Sequence, residues 1–391
     1  MAEKELMEDV VRLAWLRRAL LAACGLTLLI SAPLWLNTRA YPVLPLLNRF
    51  PITGQPWDRI IFAASLALLG LSFWKWRWAV PGFLIVSLFM ALQDQNRWQP
   101  WFYLYWVMLL LTQLPPSAAL AGNRLVLCAV YFWAGIYKCN ARFHDEVVSF
   151  FYSNLIGWLP AFLLPLAKFA LSITPVVEMF VAIGLWIPRW RLAALLAAGV
   201  IHLTALILLG PWGHNFNSVI WPWNLAMPAF LILVFTGSQA APPWPALRKP
   251  AWGALVTAAF CVLPILGCYG WWDSYLCFSV YSGATDRGSI LISAALKERL
   301  PAPMQRFAQP IRPGAPAGPG IPLQFDFRNW AETEIKVPPI PEKRAYLSVA
   351  RYLCAWAEQP EDLRLIIEAR DGQRHFYGVK DLQSPAALLK P

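Results

Sequence analysis

Nine apolar runs, most of them near the length that crosses a bilayer, constrain this chain before any other feature does. They are Leu20 to Leu36, Ile60 to Trp74, Trp78 to Leu92, Trp101 to Leu114, Leu125 to Tyr137, Ser172 to Ile187, Leu192 to Leu209, Val219 to Phe235 and Trp252 to Tyr269. A segment in hydrocarbon must satisfy its own backbone, and for apolar runs of this kind the helix does so. The chain is 391 residues long, 58% hydrophobic and only 14% charged, with a mean hydropathy of +0.47. Those values exclude an ordinary soluble globule and predict an all-α polytopic membrane bundle of about nine transmembrane helices. The first run follows Arg12, Arg17 and Arg18 as a signal peptide would, but no small-residue cleavage site comes after it, so it reads as a retained helix.

Lys and Arg in short loops set the expected orientation, because cytoplasmic loops retain positive charge. Eleven fall on the side of the N-terminus, Arg17, Arg124 and Arg191 among them; seven fall on the other, including Arg39, Arg97 and Arg142. The N-terminus is therefore expected in the cytoplasm, the C-terminal region outside, and the bacterial inner membrane is the expected location. The formal charge of +11 flanks helices, where it meets anionic headgroups; membrane lipids are the implied partners and no nucleic acid is. Many of the 22 Trp residues sit at run ends, as in an interfacial aromatic belt.

Composition divides the chain into a charged lead (1–18), a helical membrane body (19–270) and a small extracytoplasmic α+β domain (271–391). Asn154 to Leu171 is apolar but broken by Gly157, Pro160 and Pro165, and reads as an interfacial or re-entrant helix, with an added span as the competing reading. In the polar domain, Tyr275 to Tyr281 and Ser289 to Ser293 read as one hairpin, and Leu363 to Glu368 with His375 to Val379 as another about Asp371 and Gly372. Glu342 to Glu358 has helical periodicity, and residues 301–322 form a Pro-rich linker expected to be irregular. No internal repeat supports a duplicated transporter.

Ionisable side chains inside apolar runs are costly and usually functional. Glu178 lies six residues in from the outer end of its run and His202 seven in from the outer end of the next, which predicts matched depth, roughly 10 Å below one surface. Lys138 closes the run ending Tyr131, Phe132, Trp133, Ala134, Gly135, Ile136, Tyr137. Held among such neighbours it loses hydration, which disfavours its charged form and suits it to act as an amine base. Snorkelling into the headgroups is the ordinary alternative. Trp133 and Tyr137, with His214 and Asn215 in the loop after His202, are candidate ligand-binding residues. Asp94, Gln95, Asn96, Arg97 and Trp98 read as a solvated outer turn, and His144, Asp145 and Glu146 as a solvated cluster. No short-spaced His or carboxylate pair is present, so no metal is expected; nor is there a phosphate loop or nucleophile elbow. Seven cysteines without a CxxC motif give no redox signature, though Cys277 and Cys354 could pair; Cys24, Cys128 and Cys261 read as packing residues.

With these residues in view, the body resembles the HTTM domain, the membrane module of vitamin K-dependent gamma-carboxylases and of many bacterial proteins. Tyr131 to Asn140 (YFWAGIYKCN) resembles the family segment in which an aromatic-rich helix ends in the catalytic lysine, and Lys138 falls on that position. Glu178 and His202 fall where the family carries an acidic residue and a His, and Asp94 to Leu104 (DQNRWQPWFYL) is similar to a family loop. The resemblance covers roughly residues 10–270. It implies a reduced quinone, vitamin K-like, whose hydroxyl Lys138 deprotonates, with the bundle holding an isoprenoid tail and Glu178 and His202 orienting or relaying protons. Trp101 stands where the carboxylases have a His, and only a short outer domain stands for their large lumenal region; both count against protein carboxylation. The alternative that the same resemblance implies is a non-enzymatic membrane partner for maturation, export or immunity of a secreted peptide. A proton-coupled transporter is disfavoured by the missing repeat.

Overall fold

The computed structural model describes residues 2–47, 50–236, 247, 250–311 and 321–384. From the N-terminus, α1 (Ala2–Ile30) and α2 (Ala32–Trp35) lead to α3 (Trp57–Gln93), α4 (Pro100–Leu111) and α5 (Pro116–Lys138). Then follow the short α6 (Ser149–Trp158) and α7 (Leu164–Ser172), α8 (Thr174–Gly184), α9 (Arg191–Leu209), α10 (Ile220–Phe235) and α11 (Ala251–Val262), which continues as a 3-10 stretch to Tyr269. Among the described residues five segments, in α1, α3, α5, α9 and α11 with its continuation, are long and apolar enough to cross a membrane; α7 with the turn before it and α8, meeting at 51°, make a sixth if that bent pair is one span. The chain is thus a mostly helical membrane protein. Each of the nine predicted runs is mainly helical, but α4 and α10 have only 12 and 16 residues, so these lengths do not establish nine crossings.

Two predicted runs lie within α3, which is broken at Lys75 (φ −117°, ψ 41°). A Cβ built on Gly82 would sit 3.3 Å from Leu68 Cδ2. In a straight helix those residues would be about 20 Å apart along the axis, so the halves fold back on one another. Asn37 confirms it by bonding both ends of α3: its backbone N–H donates to Asp58 Oδ2 (2.9 Å) and its Nδ2 to Gln93 Oε1 (3.2 Å). The stretch read as interfacial or re-entrant is two short helices, α6 and α7, broken at Leu159 and Pro160, with no buried residue in either.

Arginines satisfy carbonyls at both ends of the bundle, which helices leave without partners. At one end Arg17 donates to Thr112 O (3.1 Å) and stacks on Trp76, Arg124 to Val234 O (2.6 Å) and Arg191 to Leu185 O (3.1 Å). These belong to the set predicted to share the N-terminal side. At the opposite end the residues read as a solvated turn are buried: Asp94, Asn96 and Arg97 have no exposure. Asp94 is ion-paired to Arg39, while Arg97 donates to the carbonyls of Leu34 (3.0 Å), Trp35 (3.1 Å) and Met90 (2.7 Å) and to Asn37 Oδ1 (2.7 Å). An Arg in a hydrophilic-looking pentapeptide is buried because four acceptors converge on its planar fork.

The C-terminal domain sits on this end. Its sheet is antiparallel in the order β2-β3-β1-β4-β5, with β1 Arg287–Ile292, β2 Ala308–Pro310, β3 Leu323–Phe325, β4 Leu363–Glu368 and β5 Arg374–Gly378. The predicted hairpin of β4 and β5 is present, turning at Gly372 with φ +87°. The other is not: Tyr275 to Tyr281 forms turns, and β1 pairs instead with β3 and β4. The predicted linker is only partly irregular, since α13 (Ala302–Gln305), which follows α12 (Ala294–Arg299), and β2 lie in it; residues 312–320 fall outside those described. Helices α14 (Phe327–Ile335) and α15 (Lys343–Leu353), the latter within the predicted helical stretch, pack beside the sheet, and α16 (Val379–Gln383) closes it. Asn96 Oδ1 accepts from the Ile340 N–H (3.1 Å), Arg344 donates to Gln95 Oε1 (2.6 Å), and Tyr41 packs on Trp330 at 4.8 Å. Glu146, from the cluster read as solvated, pairs with Arg287. Cys277 and Cys354 are separate buried thiols, so the suggested pairing is not made.

Arg97→Lys should be nearly as damaging as Arg97→Ala, because an ammonium cannot reach four acceptors arranged around a guanidinium. A loss of about 3–5 kcal/mol is expected for either in equilibrium denaturation in detergent. Recovery of most of that by Lys would show that charge alone matters. A second expectation concerns pH. Burial, and then Asp326, raise the Glu332 carboxyl from 4.5 to about 7 against the opposing pull of Arg328. The folded domain then holds a proton that the unfolded chain has lost, so stability falls as pH rises through the window from 4.5 to about 7. Melting curves across that window should flatten in Glu332→Gln; an unchanged slope would place the titrating group elsewhere.

Candidate functional site

Lys138 is the last residue of α5, and its Nζ lies 2.9 Å from both Glu178 oxygens and 3.3 Å from Ala134 O. The two side chains are 10% and 9% exposed, so the pair is held in a nearly dry setting. Gly135 makes the approach possible. A Cβ there would meet Pro175 O at 2.7 Å and Met179 Cγ at 2.8 Å, so any larger residue would push α8 away and Glu178 with it.

His202 on α9 does not bond to either partner of that pair. Its Nε2 is 2.6 Å from Tyr131 Oη and its Nδ1 2.8 Å from Asn224 Oδ1. Asn224 Nδ2 donates to Ile220 O (2.9 Å), which leaves Oδ1 to face the ring. Nδ1 must therefore carry a hydrogen, and in a neutral imidazole Nε2 then accepts from the Tyr131 hydroxyl. Tyr131 lies seven residues before Lys138, two turns along the same face of α5 and about 10 Å down the axis. Because Lys138 Nζ folds back to Ala134 O, Glu178 and His202 engage α5 at neighbouring turns, around Ala134 and Tyr131.

All three predicted groups nonetheless line one cavity of about 610 Å³, together with Tyr131 and Asn224. Its remaining wall is mostly aliphatic and aromatic, contributed by α5, α8, α9 and α10, by the broken pair α6 and α7 with Phe143 and Val148 before them, and by Phe278, Val280 and Tyr281. The four proposed ligand-binding residues lie elsewhere. Trp133 Nε1 donates to Cys261 O (2.8 Å) and Tyr137 Oη to Pro264 O (2.5 Å), both towards α11 and its continuation. Two residues on from Tyr131 is about 200° around the helix, which takes Trp133 off the cavity face. His214 stacks on Phe150 at 3.8 Å and contacts its carbonyl, and Asn215 holds a turn with φ +47°. Among the described residues no three His, Cys, Asp or Glu side chains gather as a metal centre requires.

Sequence reasoning missed Tyr131 and Asn224 as site residues. Asn224 carried a signal of the same kind as Glu178, a polar group inside the apolar run Val219 to Phe235. Tyr131 could be found from its seven-residue spacing to Lys138. No family model matches this chain, and neither a curated protein nor a solved structure does.

A proton moving across 2.9 Å between Nζ and Glu178 interconverts ammonium with carboxylate and amine with carboxylic acid. Only the second state leaves a lone pair on Nζ that can take a proton from a ligand. Removing one partner strands the other in the dry cavity wall. Lys138→Ala is thus expected to cost about 3–5 kcal/mol of stability, with Lys138→Met plus Glu178→Leu recovering most of it. A double variant as unstable as the single one would show that the two groups do not act as a pair.

Proposed function

We propose that this chain is an HTTM-like integral membrane protein of the bacterial inner membrane whose nine helical runs all cross the bilayer, with the N-terminus cytoplasmic and the C-terminal domain outside. Its cavity binds a quinol-like or other isoprenoid lipid, and Lys138 serves as a base towards that ligand. The observation that carries this reading is the Lys138 and Glu178 pair set in the wall of a mostly apolar cavity. The alternating direction of the helices supports nine crossings, since Arg17, Arg124 and Arg191 gather at one end and Arg39 and Arg97 at the other.

The cavity suits such a ligand, because it joins a long apolar wall to a few polar groups that can orient a ring hydroxyl. A bound hydroquinone would supply an acidic hydroxyl and two-electron redox capacity. Within the chain, Lys138 Nζ accepts the hydroxyl proton once Glu178 holds the proton of the pair. Asn224 fixes the His202 ring, and His202 fixes the Tyr131 hydroxyl, which keeps a lone pair available to a donor in the cavity. The aliphatic lining excludes water from the exchange.

Mass spectrometry of lipids retained through purification should show a quinone or another isoprenoid lipid, depleted in a variant with a bulky Ala134→Trp side chain. In a quinol-oxidation assay with dioxygen supplied as the two-electron acceptor, Lys138→Ala should lower turnover by two or more orders of magnitude, as loss of a general base does. Full activity in Lys138→Ala, Glu178→Gln and His202→Ala alike would end this reading.

A further inference from the structure

A second cavity, of about 760 Å³, lies between the mouth of the bundle and the C-terminal domain. It shares Ile220, Trp223, Val280 and Tyr281 with the inner cavity, so one wall separates an apolar chamber from a polar vestibule. Two of the groups lining the vestibule are donors without acceptors. Trp101 is 1% exposed and its Nε1 has no partner among the described residues; the buried Nε1 of Trp223 has none among them either. An indole N–H can only donate, and leaving it buried without an acceptor is costly. These groups call for acceptor oxygens.

The same vestibule carries an acceptor without a donor. Glu332 lines it, half-buried on α14, with no hydrogen bond or ion pair of its own among the described residues. Arg328, one turn earlier on α14, also lines the vestibule and pulls on Glu332 from an exposed position without forming an ion pair with it, and Arg287 is tied to Glu146. An anion alone would leave Glu332 unmatched; a cation alone would leave both indoles unmatched.

We propose that the vestibule binds a small zwitterionic group, an oxyanion and an ammonium in one ligand, with the indole N–H groups of Trp101 and Trp223 on the oxyanion and Glu332 on the ammonium. Such a group could arrive as a free small molecule or as the head of an aminophospholipid at the membrane surface. The site does not depend on the chemistry assigned to the inner cavity.

Titration calorimetry on the purified full-length protein, with O-phosphoethanolamine and with a short-chain phosphatidylethanolamine as probes, tests it. Inorganic phosphate and ethanolamine are the comparison ligands. Phosphoethanolamine is expected to bind at least about tenfold more tightly than either half, the increment of one charge-assisted hydrogen bond. Glu332→Gln and Trp101→Phe should each weaken it by about tenfold. Binding confined to the lipid, with the same loss in the variants, would identify the source as a headgroup. Should Trp101→Phe fail to fold, Glu332→Gln alone decides. Phosphate binding as well as phosphoethanolamine, variants that bind like the parent, or no heat with any probe would overturn the proposal.

Discussion

Carbonyl groups at helix ends, in an environment with little water to satisfy them, decide where this chain buries its arginines. Helix ends leave their last carbonyls without donors, and lipid supplies none. Arg17, Arg124 and Arg191 answer at one end, and Arg97 alone collects Leu34, Trp35 and Met90 at the other. Since those three carbonyls come from the tip of α2 and the end of α3, Arg97 fixes where the chain re-enters the bundle. The segment around it then presents Gln95 and Asn96 to the C-terminal domain. The dock for that domain is therefore a by-product of satisfying backbone.

This explains which parts of the fold were legible in the sequence. Apolar runs announce themselves through transfer energetics summed over many residues, so the helices were placed nearly everywhere. Lys75, where α3 folds back, sits between Trp74 and Trp76 in a basic aromatic stretch that divided two runs correctly. Burial of the 94–97 segment was not legible. Its residues are polar one by one, and only the three-dimensional meeting of Asp94 with Arg39, and of Arg97 with distant carbonyls, makes burial favourable. For the same reason the sheet was half read: β4 and β5 are adjacent in sequence, whereas β1 finds β3 and β4 across long separations that local pattern does not encode.

Of the candidate residues, the expensive ones line the cavity and the merely aromatic ones do not. Glu178, His202 and Lys138 each carry a desolvation cost that has to be offset by a partner, so finding them inside apolar runs predicted that partners exist. Trp133 and Tyr137 carry no such cost; their polar tips are satisfied by the Cys261 and Pro264 carbonyls, and they serve α5 packing against α11. Helical phase decides between the two outcomes. Tyr131, Ala134 and Lys138 recur on the cavity face, and Gly135 marks the face on which α8 closes in.

Two polar elements in one cavity do different physical work. In the pair of Lys138 and Glu178 the Nζ lies 2.9 Å from both carboxylate oxygens, so each group sits directly in the field of the other's charge. The chain from Ile220 O through Asn224 and His202 to Tyr131 is ordered by contrast, since the carbonyl at its root can only accept and each later hydrogen is placed by the one before. The Lys138 and Glu178 pair and the Tyr131 oxygen, whose hydrogen is directed at His202, thus present different polar faces to the same cavity. Because a Cβ on Gly135 would strike Pro175 O and Met179, the close approach of α8 to α5, and with it the contact of Glu178 with Lys138, depends on that glycine.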